Sequence, residues 1–146
     1  DPLIEAKKKF NFIMDNYPNT DFALDAKFKL DFIEDILASK EMYLGRHYQK
    51  KGKWIAAINR FKIVIEEYEK TIFVEEALHR LVEINYKIGL KDESQKYASL
   101  LGYNYLSSKW YKKSYKIFNK NYKEKTPKKI KKEKKGVISK FKKLFD

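Results

Sequence analysis

The sequence contains no cysteine, which excludes disulfides, thiolate zinc sites and a cysteine nucleophile. The absence assigns no compartment, because periplasmic and cytosolic chains can both lack cysteine. Glycine and proline are scarce, at five and three in 146 residues. A β-sandwich or barrel needs many more turn signals, so an all-α fold is favoured. No apolar run approaches the ~18 residues a membrane-spanning helix requires, and no signal-peptide pattern stands at Asp1. The chain starts without Met inside a helix-like pattern, and so reads as a piece of a longer precursor.

What is present suits packed helices. Hydrophobic residues make up 43% and aromatics 16% of the chain, enough apolar material for one core, while 36% charged residues fit well-solvated outer faces. The net charge of +13 is unevenly placed: residues 123–146 hold 11 Lys against Glu124, Glu133 and Asp146, a net of +8. Two regions follow, a helical domain over 1–122 and a lysine-rich tail over 123–146.

Helical periodicity with short breaks organises the first region. Ala6, Phe10, Ile13 and Tyr17 form one stripe that Pro18 stops, and Thr20 can cap the next helix. From Asp21 to about Lys51 the only glycine is Gly45, and Phe22, Ala26, Leu30, Ile33, Leu37, Leu44 and Tyr48 keep to one stripe. One long helix of about 31 residues, on the order of 47 Å, is expected there. Gly52 ends it, and Trp54, Ala57, Ile58, Phe61, Val64, Ile65 and Tyr68 return as an antiparallel partner. A second hairpin runs from Val74, turns at Gly89 and returns through Ser94, Ala98, Leu101 and Tyr105. Leu44, Gly45, Tyr48, Ala57 and Phe61 fall at the spacing of the tetratricopeptide (TPR) pattern, a helix-turn-helix repeat of ~34 residues. The expected fold is therefore an all-α, TPR-like array of hairpins, a right-handed solenoid. A capping helix from about Lys109 would close it, with Tyr111, Tyr115, Phe118 and Tyr122 on one face. YPNT at 17–20, YEKT at 68–71 and YLSS at 105–108 each place Tyr at a helix end and a hydroxyl three residues later for the next N-cap.

No nucleophile-base constellation can be assembled from these residues. His47 and His79 are the only imidazoles, each flanking a stripe position, and both are expected at a helix surface or boundary. There is no HExxH, paired-His spacing or phosphate-cradling glycine loop, so neither metal nor cofactor is expected. Glu41 is the odd member of the long stripe: it is either a partly buried carboxylate with a partner or the site of a kink. Arg60, one turn from Val64 on the helix expected alongside, is the natural partner. The two either form an ion pair across the hairpin, present a shared polar site to a partner, or are unpaired surface positions.

The tail leaves three binding readings open (anionic lipid, an acidic protein face and nucleic acid) beside a simply solvated one. Lys128, Lys129, Lys131, Lys132, Lys134 and Lys135, followed by an amphipathic end carrying Phe141, Leu144 and Phe145, can lie on anionic lipid as a peripheral membrane contact. They can also meet an acidic protein face, or simply be solvated. Nucleic acid is the weakest partner, because the body lacks a basic stripe with interleaved exposed aromatics.

Extended phrases then narrow the choice. Asp1-Pro2 with Ala6 and Phe10 leads into YPNT. Glu41, Tyr48, Gly52, Ala57, Asn59 and Arg60 follow in order, including the AAINR phrase at 56–60, and EEAL at 75–78 precedes the closing NYLSSKWY at 104–111. Over residues 1 to about 118 this resembles the C-terminal half of the BamD/ComL-type outer-membrane assembly lipoproteins, TPR subunits of the β-barrel assembly machine. The resemblance implies a non-catalytic scaffold on the periplasmic side of the outer membrane, lipid-anchored through an upstream Cys missing from this chain. It implies as partners the POTRA region of the barrel subunit BamA, other assembly-machine lipoproteins and unfolded outer-membrane protein segments. By motif, Tyr48, Asn59 and Arg60 become candidates for partner binding, followed by Glu41 and Arg46. A generic TPR adaptor for an acidic peptide, with the tail on lipid, is the alternative. Glu69 and Leu106 replace prolines of the family pattern, which should let those helices run on by a turn.

Overall fold

The computed structural model describes residues 1–119. Tyr122 and the tail residues from Lys128 to Phe145 singled out above lie outside that range. All regular structure among the described residues is helical: α1 (Pro2–Asn16), α2 (Asp21–Lys50), α3 (Trp54–Glu67), α4 (Val74–Lys87), α5 (Lys91–Asn104) and α6 (Lys109–Phe118). Each helix packs on the next, and α4 also packs on α6. The result is the TPR-like hairpin array that the periodicity predicts.

The long helix is continuous and passes through Glu41 unbroken. Its two halves meet different partners. Lys40 bonds Asp1 and Lys7 bonds Glu34, so α1 runs antiparallel along the first half. Gly45 faces Phe61, so α3 runs back along the second. Gly52 and Gly89, with φ of 71° and 89°, reverse the chain after α2 and α4 in the left-handed region that glycine adopts without a Cβ penalty.

The other three turns share one device. Tyr17, Tyr68 and Tyr105 each leave the helix with φ between −128° and −137°. Each gives its N–H to a carbonyl one turn back, on Ile13, Val64 and Leu101 respectively. The expectation that α3 and α5 run on without a proline is therefore wrong: they stop at Glu67 and Asn104, because the Tyr conformation ends the helix with or without proline. The hydroxyl cap holds at Thr20, which accepts from Ala23, and at Ser108, which accepts from Trp110. It fails at Thr71, whose hydroxyl instead donates back to the Tyr68 carbonyl while α4 begins after Phe73.

The core joins Ile33, Leu37, Ala38 and Met42 of α2 to Ala57, Phe61 and Val64 of α3, Ala77, Leu78, Leu81 and Ile84 of α4, and Leu101 of α5. Helix α4 is buried on several faces because α3, α5 and α6 all pack on it. Two stripe expectations need correction. Phe22 is exposed, and Ala23 takes its place on the face continued by Ala26 and Leu30. Tyr17 is also exposed, since α1 has already ended. On α6 the buried residue is Ser114, flanked by half-buried Trp110, Tyr111 and Ile117, whereas Tyr115 and Phe118 are exposed. The face is rotated from the predicted aromatic stripe because α6 docks on α4 as well as on α5.

Candidate partner-docking surface

The α2–α3 hairpin is held close by a glycine and an aromatic ring. A Cβ on Gly45 would lie 2.5 Å from the Phe61 ring, closer than packed carbons allow, so glycine is required by the approach itself. Next to this contact, Arg60 Nη1 donates to Glu41 Oε2 at 3.0 Å. The carboxylate is largely buried and the guanidinium is 37% exposed. Of the five N–H donors of the guanidinium, one is engaged by Glu41 among the described residues.

This pair belongs to a polar seam along α1, α2 and α3. Lys7 bonds Glu34 at 2.9 Å and lies 5.2 Å over the Tyr68 ring. Burial raises the Tyr68 phenol above its ordinary pKa, and the negative charges of Glu67, Glu41 and Glu34 add to the effect. Asn59, beside Arg60 in sequence, is exposed. Tyr48 is half-buried against the core, and its carbonyl accepts from Lys51 and Lys53 in the turn, so it supports the hairpin. Glu41, Asn59 and Arg60 thus fall on one hairpin, whereas Arg46 faces elsewhere.

Arg46 belongs to a second constellation. It makes a two-pronged bond to Glu76 of α4, at 2.9 and 2.6 Å. Glu76 also accepts from Arg80, which in turn donates to Glu83 at 2.8 Å. Burial pushes the Glu76 carboxyl up, but the bonds and charges of Arg46 and Arg80 outweigh it and hold the group below its ordinary value. For Glu83 the same contest, against His79 and Arg80, ends at a pKa of about 2.

His79 is the residue that sequence reasoning misplaced. Instead of lying at a helix surface it is 2% exposed, because α6 closes over it. Its Nδ1 is 2.8 Å from the Ser114 hydroxyl, its Nε2 is 3.4 Å from Glu83, and its ring stacks against Trp110 at 5.2 Å. A hydroxyl, an imidazole and a carboxylate in a row resemble a nucleophile, base and acid. Ser114, however, is fully buried, so no substrate can reach its oxygen, and the chain works as a latch for α6. The i, i+4 spacing of His79 and Glu83 was visible in the sequence, but the partner 35 residues away was not.

Comparison with known proteins identifies the family. The model of the YfiO family, described as outer membrane lipoprotein, matches residues 1–101. Over 117 residues the chain is 49% identical to the outer membrane protein assembly factor BamD of Rickettsia prowazekii (strain Madrid E), covering 80% of this chain and 46% of that protein. It is 46% identical over 109 residues to BamD of Caulobacter vibrioides (strain ATCC 19089 / CIP 103742 / CB 15), covering 75% and 36% respectively. A similarity of 39% identity over 83 residues extends to BamD of Neisseria gonorrhoeae. The chain spans less than half the length of these curated relatives. A family match over 101 residues, joined to this identity with assembly factors, makes the chain a member of the YfiO family of outer membrane lipoproteins, of the BamD type.

Proposed function

We propose that this chain is a non-catalytic scaffold in the assembly of outer-membrane proteins, held at the periplasmic side of the outer membrane by an N-terminal lipid anchor. In this reading the α2–α3 hairpin docks the POTRA region of a BamA-like barrel subunit, with Arg60 as the charged contact, Asn59 beside it and Glu41 orienting it. Other assembly-machine lipoproteins and unfolded outer-membrane protein segments are further partners.

The observation that carries the reading is the Glu41–Arg60 pair. A carboxylate fixed in the hairpin holds a guanidinium that keeps open donors and partial exposure. Packing of the hairpin rests on Gly45, Ala57 and Phe61 and needs neither polar group. A pull-down with the POTRA segment from the same organism tests the proposal. Wild type should retain the segment, and Arg60→Leu should weaken retention at least ~10-fold, as expected when one partner of a desolvated charge pair is lost. Equal retention by both proteins would remove Arg60 from the interface, and no retention by either would leave the scaffold reading without its docking mechanism.

A further inference from the structure

A cleft of about 510 Å³ opens between α2, α3, α4 and α6, a volume typical of ligand sites. The last turn of α2 supplies Arg46, Gln49 and Lys50. The first residue of α3, Trp54, supplies an aromatic wall, α4 supplies Arg80, Glu83, Ile84 and Lys87, and α6 supplies Ile117. Neither Glu41, Asn59 nor Arg60 lines it.

The charges of the cleft do not cancel. Arg46 and Arg80 are matched by Glu76 and Glu83, and those bonds fix both guanidiniums in place. Lys50 and Lys87 are exposed and have no carboxylate partner among the described residues. Lys87 Nζ instead sits 4.5 Å over the Trp54 ring, a cation–π contact that parks the ammonium at the mouth. The cleft therefore offers two ammonium groups without a carboxylate partner among the described residues, around an apolar surface made by half-buried Trp54 and Ile117.

We propose that this cleft binds an acidic peptide segment, seating an aromatic or aliphatic side chain on Trp54 and Ile117 while flanking carboxylates pair with Lys50 and Lys87. Two features favour a peptide over a nucleic acid. Glu83 lies in the lining and would oppose a continuous phosphate chain, whereas two separated carboxylates can meet the two lysines and avoid it. An apolar surface also has nothing to offer a phosphate, but it is filled by a side chain. The site is separate from the Glu41–Arg60 surface, so each can fail without the other.

The test is fluorescence anisotropy of a labelled, end-blocked heptapeptide that alternates glutamate with phenylalanine and leucine, titrated with the full chain at low salt. Saturable binding is expected, falling as salt rises because the lysines are solvent-exposed. The glutamine counterpart should bind at least ~10-fold more weakly, and so should Lys50→Glu/Lys87→Glu with the glutamate peptide. Lys50→Gln/Lys87→Gln should lie in between, and Arg60→Leu should bind like wild type. Unchanged affinity in both lysine double variants would overturn the proposal by placing binding elsewhere, the lysine-rich segment included. Equal affinity for the glutamine peptide would overturn the role of the carboxylates. A thymidine oligonucleotide that displaces the peptide, and that loses affinity in the same lysine variants, would overturn it in favour of a nucleic acid.

Discussion

The two polar systems of the array differ in reach. Glu41 and Arg60 are 19 residues apart and join the two helices of one hairpin. Arg46–Glu76 and His79–Ser114, at separations of 30 and 35 residues, join α2 to α4 and α4 to α6. A pair inside one hairpin adds little to the packing already there, which leaves its cation available for recognition. A network between hairpins does what apolar stripes do poorly: it fixes which turn of one helix faces which turn of the next. In the proposed reading the same residue types serve docking in one place and alignment in the other.

The largest expected break in this comparison is at the buried end of the network. Ser114→Ala leaves the His79 Nδ1 without its partner in a closed site and should cost about 1–3 kcal/mol, read as a lower urea midpoint. An unchanged midpoint would mean that α6 is not latched there. Next come two double-mutant cycles. The Arg46–Glu76 cycle should show the larger coupling, since its bond is two-pronged and its carboxylate lies between two guanidiniums. Coupling for Glu41–Arg60 should stay at or below ~1 kcal/mol, in the range of half-exposed pairs. Strictly additive losses at Arg46–Glu76 would erase the distinction.

The remaining effect is confined to acid. Glu83 has a folded pKa of about 2 against an ordinary 4.5, so its ionised form is favoured by folding. That contribution is complete above the unfolded value and is lost as pH falls from about 4.5 towards 2. Thermal melts across this window should show a shallower decline for Glu83→Gln than for wild type. Parallel curves would remove Glu83 as a contributor.

What could be read in advance follows the same division. Stripes such as Ala57, Phe61 and Val64, and the glycines at 52 and 89, act within a helix or a single turn, so spacing alone placed the hairpins. Glu41 was legible as well, because a carboxylate on an apolar stripe needs a partner and the facing helix offered only a few. Ser114, Glu76 and the burial of His79 were not legible. Their roles depend on how α6 settles onto α4, a contact between repeats that leaves no period in the sequence. Phe22 shows a finer limit, since a one-residue change in helix phase moved a large ring into solvent and left Ala23 in the core.

The most direct measurement of the docking role is a titration of the POTRA segment against three forms of the full chain: wild type, Arg60→Leu and Lys50→Glu/Lys87→Glu. Affinity should fall at least ~10-fold in Arg60→Leu alone, with the lysine variant matching wild type. Loss in the lysine variant with Arg60→Leu unaffected would contradict docking through the α2–α3 hairpin and move it to the cleft.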